Sequence, residues 1–176
     1  LALELGATFV ARSFSADRKQ LIPILQAALS HNGTAIVDVL SPCVTFNNHG
    51  NSTKSYDWGK EHEQPIHEVG FVNPWDQPAI EYAEGEALEV PMPEGGTIVL
   101  KKLDREFDPR DKQAALRLLN EARHNKQFLT GIFYVHPDAP SLLDTLSMVE
   151  TPLAQLGDAE LRPSRAALDE MMESFR

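Results

Sequence analysis

Apolar and polar residues alternate along this chain in two rhythms, and the first 40 residues use both. Thr8–Arg12 (TFVAR) reads as a short strand. Leu21, Leu25, Ala28 and Leu29 then recur at helical spacing, which places one apolar stripe on a helix. Ser15 is a candidate cap for that helix, with Asp17 in its first turn at the positive end of the helix dipole. Pro23 falls inside the run and predicts a kink or a later start. His31-Asn32-Gly33 ends it, with Gly33 the expected left-handed cap. Thr34–Leu40 (TAIVDVL) follows, an almost continuous apolar run of the kind buried in a parallel sheet. Strand, helix and strand with short connections predict a crossover unit, the last βαβ of an open α/β sheet.

Beyond residue 40 the rhythm changes. Residues 41–63, SPCVTFNNHGNSTKSYDWGKEHE, are polar and read as a loop. From 64 to 85 no period holds; Pro65, Pro74 and Pro78 with Phe71, Trp75 and Tyr82 predict a wandering segment that packs against something. Ala87–Val90 and Thr97–Leu103 bracket PMPEGG as a hairpin with a longer loop. Asp108-Pro109-Arg110-Asp111 predicts a helix start capped by Asp108, with proline at the first position. Ala115, Leu118, Leu119 and Ala122 give that helix one apolar face, and Arg123, His124 and Lys126 suit its negative end. Phe128–Val135 reads as a strand stopped by His136-Pro137-Asp138. The tail from Ser141 predicts short helices broken at Pro152, Gly157 and Pro163.

Composition narrows the classes. A chain of 176 residues, 42% hydrophobic and 24% charged, is normal for a globular domain with a sizeable core. No apolar run approaches the roughly 20 residues of a membrane span, and no leader pattern is visible. The net charge of −10 argues against nucleic acid or an anionic membrane as main partner. That charge is uneven. Residues 60–96 carry nine acidic side chains against Lys60 alone, whereas residues 101–126 carry eight Lys/Arg against five Asp/Glu. The first residues, LALELGATFVARSF, read as a helix end, a turn at Gly6 and a strand, the pattern expected of a chain cut from within an α/β domain.

Chemistry centres on Cys43, the single cysteine, three residues past the predicted strand. Ligands of open α/β sheets sit beyond the carboxyl ends of the strands, so the position favours a site. One cysteine cannot form an internal disulfide, which fits a reducing cytoplasmic compartment. No glycine-rich phosphate loop occurs, and the six histidines show no HExxH spacing. A cysteine nucleophile served by His49 or His62 is one reading of the residues. A small buried hydrophobe is the other.

DVLSPCVTFNN, followed by a Ser/Thr/Lys/Tyr/Trp-containing loop and KEH, resembles the β subunit of 2-oxoacid:ferredoxin oxidoreductases. It is most similar to the 2-oxoglutarate type, because relatives acting on pyruvate have a different stretch after the cysteine. KKLDREFDPRDKQAALRLLNEAR, then LTGIFYVHPDAPSL and VETPLAQL, resembles the C-terminal extension of that subunit in order and spacing. The resemblance implies an α/β fold: residues 1–63 as the end of a thiamine-diphosphate-binding parallel-sheet domain, and 64–176 as an α+β C-terminal extension. It implies thiamine diphosphate, magnesium and a 4Fe–4S cluster as cofactors, with Cys43 as the late-arriving fourth cluster ligand. Thr45, Asn47 and Asn48 are the residues expected near the cluster sulfurs, as hydrogen-bond donors or as shapers of a polar turn. Lys54, Tyr56, Trp58, Lys60 and His62 are expected to face cofactor or the α subunit. Asp38 is expected to pair with a backbone or basic group, and His136 to serve a turn.

The implied activity is oxidative decarboxylation of a 2-oxoacid with coenzyme A to acyl-CoA and CO2, with electrons passing through 4Fe–4S to ferredoxin. Implied partners are the α subunit, ferredoxin, coenzyme A and the 2-oxoacid. The chain departs from the family pattern in two ways. It contains no Gly-Asp-Gly segment for magnesium and the diphosphate, and it lacks the other three cluster cysteines. Alone it is expected to bind neither cofactor well and to be inactive, with no catalytic residue of its own. The alternative is a non-catalytic subunit-interaction module with Phe71, Trp75 and Tyr82 as interface anchors. The basic stretch around Lys101, Lys102 and Arg105 is the surface expected to steer an acidic ferredoxin.

Overall fold

The computed structural model describes residues 1–73, 75, 87–92, 96–102 and 107–175. Tyr82, Pro74, Pro78 and Arg105 lie outside the described residues, as do the side chains of Lys101 and Lys102. Two compact units result, Leu1–Ser141 and Leu142–Arg176.

In the first unit β1 (Phe9–Phe14) leads into α1 (Arg18–Leu29) and β2 (Ala35–Leu40). The expected crossover is present, since β1 and β2 pair in parallel from Phe9↔Ala35 to Phe14↔Leu40. Then come α2 (Tyr56–His62), β3 (Glu63–Pro65), β4 (His67–Val72), β5 (Ala87–Pro91), β6 (Thr97–Lys102), α3 (Lys112–His124) and β7 (Phe128–Val135). One sheet has the order β2-β1-β7-β3, with β7 antiparallel to β1 and β3 parallel to β7. A second, antiparallel sheet has the order β4-β6-β5 and contains the predicted hairpin, closed by Met92 N–H donating to Gly96 O at 2.7 Å. The fold is therefore mixed α/β, with parallel and antiparallel pairing in one sheet.

Two apolar clusters form the core. Val10, Leu129 and Phe133 meet Ala115, Leu118 and Ala122 of α3, the predicted stripe of that helix. Phe9, Ala11, Ile132 and Val135 meet Ile24 and Ala27 of α1 together with Val90, Ile98 and Leu100 of the second sheet. Alternation along β1 sends neighbouring residues to the two clusters, as the pleat requires. The register shifts between Val10 and Ala11, which face Tyr134 and Ile132 respectively. Phe133 is the extra residue of this bulge, so the consecutive Phe133 and Tyr134 both pack against the α3-side cluster. Gly131 beside the bulge has φ +127°, a backbone that side chains rarely adopt.

Several local expectations change. Asp17, not Ser15, caps α1, its carboxylate accepting from the Lys19 and Gln20 amides, and the helix runs through Pro23. Asp111, not Asp108, caps α3, while Asp108-Pro-Arg-Asp forms the turn before it. In both cases the candidate nearer the helix wins, because its side chain reaches the second and third amides directly. Gly33 does not have positive φ. It is needed for close approach, since a Cβ there would overlap the Thr8 hydroxyl and come 2.9 Å from Ala139 Cβ. β2, expected to be buried, is the edge of its sheet, and Val39 is 40% exposed on it. Residues 56–62, expected to be loop, are helical.

The second unit contains α4 (Leu142–Thr145), a 3-10 turn at Leu153–Gln155, α5 (Asp158–Leu161) and α6 (Arg165–Glu173), the broken helical tail that the sequence predicts. None of its described residues is buried. Arg162–Asp158 and Arg165–Asp169 ion pairs link successive turns on its surface. Among the described residues, no helix is long and apolar enough to cross a membrane.

Candidate functional site

Where β2 ends at Leu40, the chain turns across the carboxyl ends of β1 and β2 and opens a cavity of about 410 Å³. Its floor is aromatic: Phe14, the last residue of β1, Phe128, the first of β7, and Trp58 of α2. Phe14 and Phe128 meet edge to face at 5.7 Å. Ser41, Pro42, Cys43 and Asn47 form one rim, Thr53–Ser55 the other, and Lys54 is the charged residue of the described lining. The Cys43 thiol is free and exposed at this mouth.

The loop carrying Cys43 is tied down by local bonds. Asn47 N–H donates to Cys43 O at 2.9 Å, closing a turn over residues 43–47. Asn48 Oδ1 accepts from the Tyr56 amide at 3.2 Å. Ser55 caps α2, its Oγ accepting from the Trp58 amide at 3.2 Å. The Tyr56 and Ser41 hydroxyls lie 3.3 Å apart, and this bond lowers the pKa of the exposed phenol. Gly59 lets α2 sit directly on the sheet, because a Cβ there would come within 2.5 Å of the Phe14 ring.

The expected site residues thus separate. Cys43 and Asn47 line the cavity. Asn48 is exposed and turned to the helix amide, and Thr45 is exposed on the turn. Lys54 and Trp58 line the cavity; Tyr56 stands behind it against Ser41, and Lys60 is exposed. His62 stacks on Trp58 at 4.2 Å, with Nδ1 2.8 Å from the Trp58 carbonyl. A carbonyl only accepts, so Nδ1 carries hydrogen there. Neither His49 nor His62 lines the cavity with Cys43, and nothing here supports the cysteine nucleophile. Among the expected interface anchors, Phe71 packs against the α1-side cluster, whereas Trp75 is 91% exposed. Asp38 pairs with Arg12 at 2.9 Å, and the His136 amide donates to Thr8 O.

Three features escaped the sequence. Ser13 Oγ donates to Gln20 Oε1, and Gln20 Nε2 donates to Thr130 Oγ1, each at 3.1 Å and buried. Glu63 adjoins this chain; burial raises its pKa, opposed by a hydrogen bond from Thr130. His67 is buried, accepts the Ile132 amide on Nε2 at 3.0 Å, and has its pKa lowered by burial to about 4. Alternation in β4 could have marked His67 as inward-facing, but no local signal reveals its partner.

The donor set matches an iron–sulfur cluster only in part. Cys43 offers one exposed thiol beside open space, which suits a single corner of a cubane. The chain has one cysteine, and among the described residues no group of three or more His, Cys, Asp or Glu could hold a metal. The residues fit one ligand of four, not a complete site.

No family profile matches the chain. The curated relatives define the class: the chain is similar to β subunits of 2-oxoacid:ferredoxin oxidoreductases, over only part of their length. One, the 2-oxoacid:ferredoxin oxidoreductase subunit beta of a Sulfolobus species, is 34% identical over 76 residues, 43% of this chain and 23% of the relative. The 2-oxoacid:ferredoxin oxidoreductase 1 subunit beta of Aeropyrum pernix is 53% identical over 47 residues, 27% of this chain and 15% of that protein. The 2-oxoglutarate oxidoreductase subunit KorB of Mycobacterium tuberculosis is 47% identical over 47 residues, 27% of this chain and 13% of the relative. A solved structure, the 2-oxoglutarate:ferredoxin oxidoreductase of Magnetococcus marinus with 2-oxoglutarate, coenzyme A and succinyl-CoA bound, shares the fold. It aligns with TM-score 0.55 and 20% identity, over 96% of this chain and 42% of the other. The matched segments span less than a quarter of each of these curated relatives. The resemblance to the C-terminal part of the β subunit of a 2-oxoacid:ferredoxin oxidoreductase is thereby borne out.

Proposed function

We propose that this chain is the C-terminal part of the β subunit of a cytoplasmic 2-oxoacid:ferredoxin oxidoreductase. In it, residues 1–63 end the cofactor domain and 64–176 form the extension. The observation that carries the reading is the exposed Cys43 thiol at the mouth of a cavity beyond the paired carboxyl ends of β1 and β2. That is where open α/β sheets place their ligands. The relatives' names support an oxidoreductase acting on a 2-oxoacid with ferredoxin, and the solved structure holds 2-oxoglutarate, coenzyme A and succinyl-CoA; on this reading a 2-oxoacid, 2-oxoglutarate being favoured, is decarboxylated oxidatively with coenzyme A, and electrons leave through 4Fe–4S to ferredoxin.

Thiamine diphosphate with magnesium supplies the decarboxylation chemistry when bound, and a 4Fe–4S cluster supplies one-electron transfer. This chain's own share is narrower. Cys43 contributes one thiolate, and Asn47 shares its turn. Phe14, Trp58 and Phe128 give the cavity an apolar floor, and Lys54 places a positive charge at its rim. The remaining ligands come from outside these 176 residues, so the chain by itself does not turn over substrate. The α subunit, ferredoxin and the extension's exposed Trp75 belong to the same proposal as partners and contact.

The test is Cys43→Ala in the complete subunit with its α partner, prepared without oxygen. Loss of iron and of 2-oxoglutarate-dependent ferredoxin reduction is expected. Unchanged iron and unchanged rate would reduce Cys43 to packing and leave the subunit-interaction module as the better reading.

A further inference from the structure

A second cavity, of about 440 Å³, opens between the start of α1 and β4. It shares no lining residue with the Cys43 cavity. Its size falls within the roughly 300–1,000 Å³ of small-molecule sites. Two polar side chains of its wall are almost fully buried, Gln20 at 6% exposure and His67 at 3%. Both are held by β7: Gln20 Nε2 donates to Thr130 Oγ1, and Ile132 N–H donates to His67 Nε2. The second bond fixes the tautomer. Burial lowers the His67 pKa to about 4, so the ring is neutral near pH 7, and a neutral ring that accepts on Nε2 carries its hydrogen on Nδ1. Among the described residues nothing accepts that hydrogen, and Nδ1 is not closed off from solvent. The ring lines the cavity, so the hydrogen is offered there. A buried donor without an acceptor calls for a ligand that brings one.

The charges around the cavity say which kind. Lys19 is exposed and supplies an ammonium group. Asp17 caps α1 through Oδ1 alone, which takes both the Lys19 and the Gln20 amides, so neither cap bond uses Oδ2. Glu68 is the other carboxylate of the lining, and Pro65 and Val69 are its apolar part. A simple anion would meet Lys19 and His67 but also two carboxylates. A simple cation would leave the His67 hydrogen unanswered. We propose that this cavity binds a small zwitterion, an α-amino acid with a short apolar side chain. Its carboxylate accepts His67 Nδ1–H and pairs with Lys19, and its ammonium donates to Asp17 Oδ2. Its side chain lies on Pro65 and Val69. The site is independent of the role proposed for Cys43.

The experiment is equilibrium dialysis of labelled L-valine against the full-length protein in its native assembly, with acetate and inorganic phosphate as competitors. Lys19→Met keeps the stem and removes the charge. Asp17→Ser keeps a capping oxygen and removes the carboxylate. His67→Gln keeps an acceptor for the Ile132 amide and removes the Nδ1 donor. Saturable binding is expected, displaced by unlabelled L-valine and not by equal acetate or phosphate. Each variant should weaken it about tenfold, the worth of one hydrogen bond to a charged group. Melting temperatures of Lys19→Met and Asp17→Ser should stay near wild type, so these two decide the matter even where His67→Gln fails to fold. Absence of saturable binding at millimolar L-valine would overturn the proposal. So would equal affinity in Lys19→Met and Asp17→Ser, which would put the bound valine elsewhere. Displacement by acetate or phosphate as effective as by L-valine itself would make this an anion site and overturn the zwitterion.

Discussion

Lowering the pH should unload this fold through one buried side chain, His67. Its ring packs beside Phe107, and its Nε2 accepts the Ile132 amide of β7, which ties β4 to the first sheet. That bond needs an unprotonated Nε2, and burial brings the pKa from 6.5 to about 4. In the unfolded chain the ring binds a proton near pH 6.5; in the folded chain it does not until about pH 4. Between these values the unfolded state holds more protons, so stability rises with pH across the window. It is fully present above pH 6.5, falls by about 1.4 kcal/mol per pH unit below it, and levels off beneath pH 4. The whole gap amounts to about 3 kcal/mol, a large part of the roughly 5–15 kcal/mol stability of a domain. His31, lowered mainly by burial, acts in the same sense, and Glu63, raised mainly by burial, acts in the opposite one. The comparison that isolates His67 is therefore with His67→Gln, whose amide oxygen can still accept the Ile132 N–H. Urea unfolding followed by circular dichroism at pH 7, 6, 5 and 4 should show a wild-type stability that declines more steeply than the variant's. A difference between the two proteins that stays flat from pH 7 to 4 would refute the argument.

Three further expectations follow from the same geometry. Gly131→Ala places a Cβ 2.6 Å from Ile66 Cγ1 at φ +127° and should cost about 2–3 kcal/mol, read as a drop in melting temperature; an unchanged melt would mean the bulge relaxes freely. Gln20→Leu strands the buried Ser13 hydroxyl, takes the Gln20 donor from Thr130, and should cost about 1–3 kcal/mol in urea unfolding. Cys43→Ala, by contrast, should change the stability of the chain by no more than about 0.5 kcal/mol, because the thiol is exposed; a larger loss would make it a packing residue after all.

The sequence alone determined the parts whose instructions are local. The stripe Ala115, Leu118, Ala122 specifies α3 and the face it buries, and FLTGIFYV specifies β7 to the residue. Pro152 and Gly157 cap the starts of the 3-10 turn and α5, and Pro163 stands between α5 and α6, so the breaks in the tail fall where the sequence put them. The motif at 41–63 located the candidate site, because Cys43 follows a strand end. Tertiary structure decided what depends on partners far along the chain. EQP at 63–65 has no strand signal and becomes β3 only because Phe128–Thr130 offers it a parallel register. YDWGKEH is too short and too polar to predict as a helix. It forms where Gly59 lets it rest on Phe14 and where Ser55 and Asn48 satisfy its first amides. AIVDVL looks like a central strand, yet apolar content records only how much cover a strand can use; in this chain β2 is the edge. The same distinction governs the site. Sequence placed a thiol at the end of a sheet, and only the folding of α2 onto Phe14 of β1 gave it a cavity with an aromatic floor.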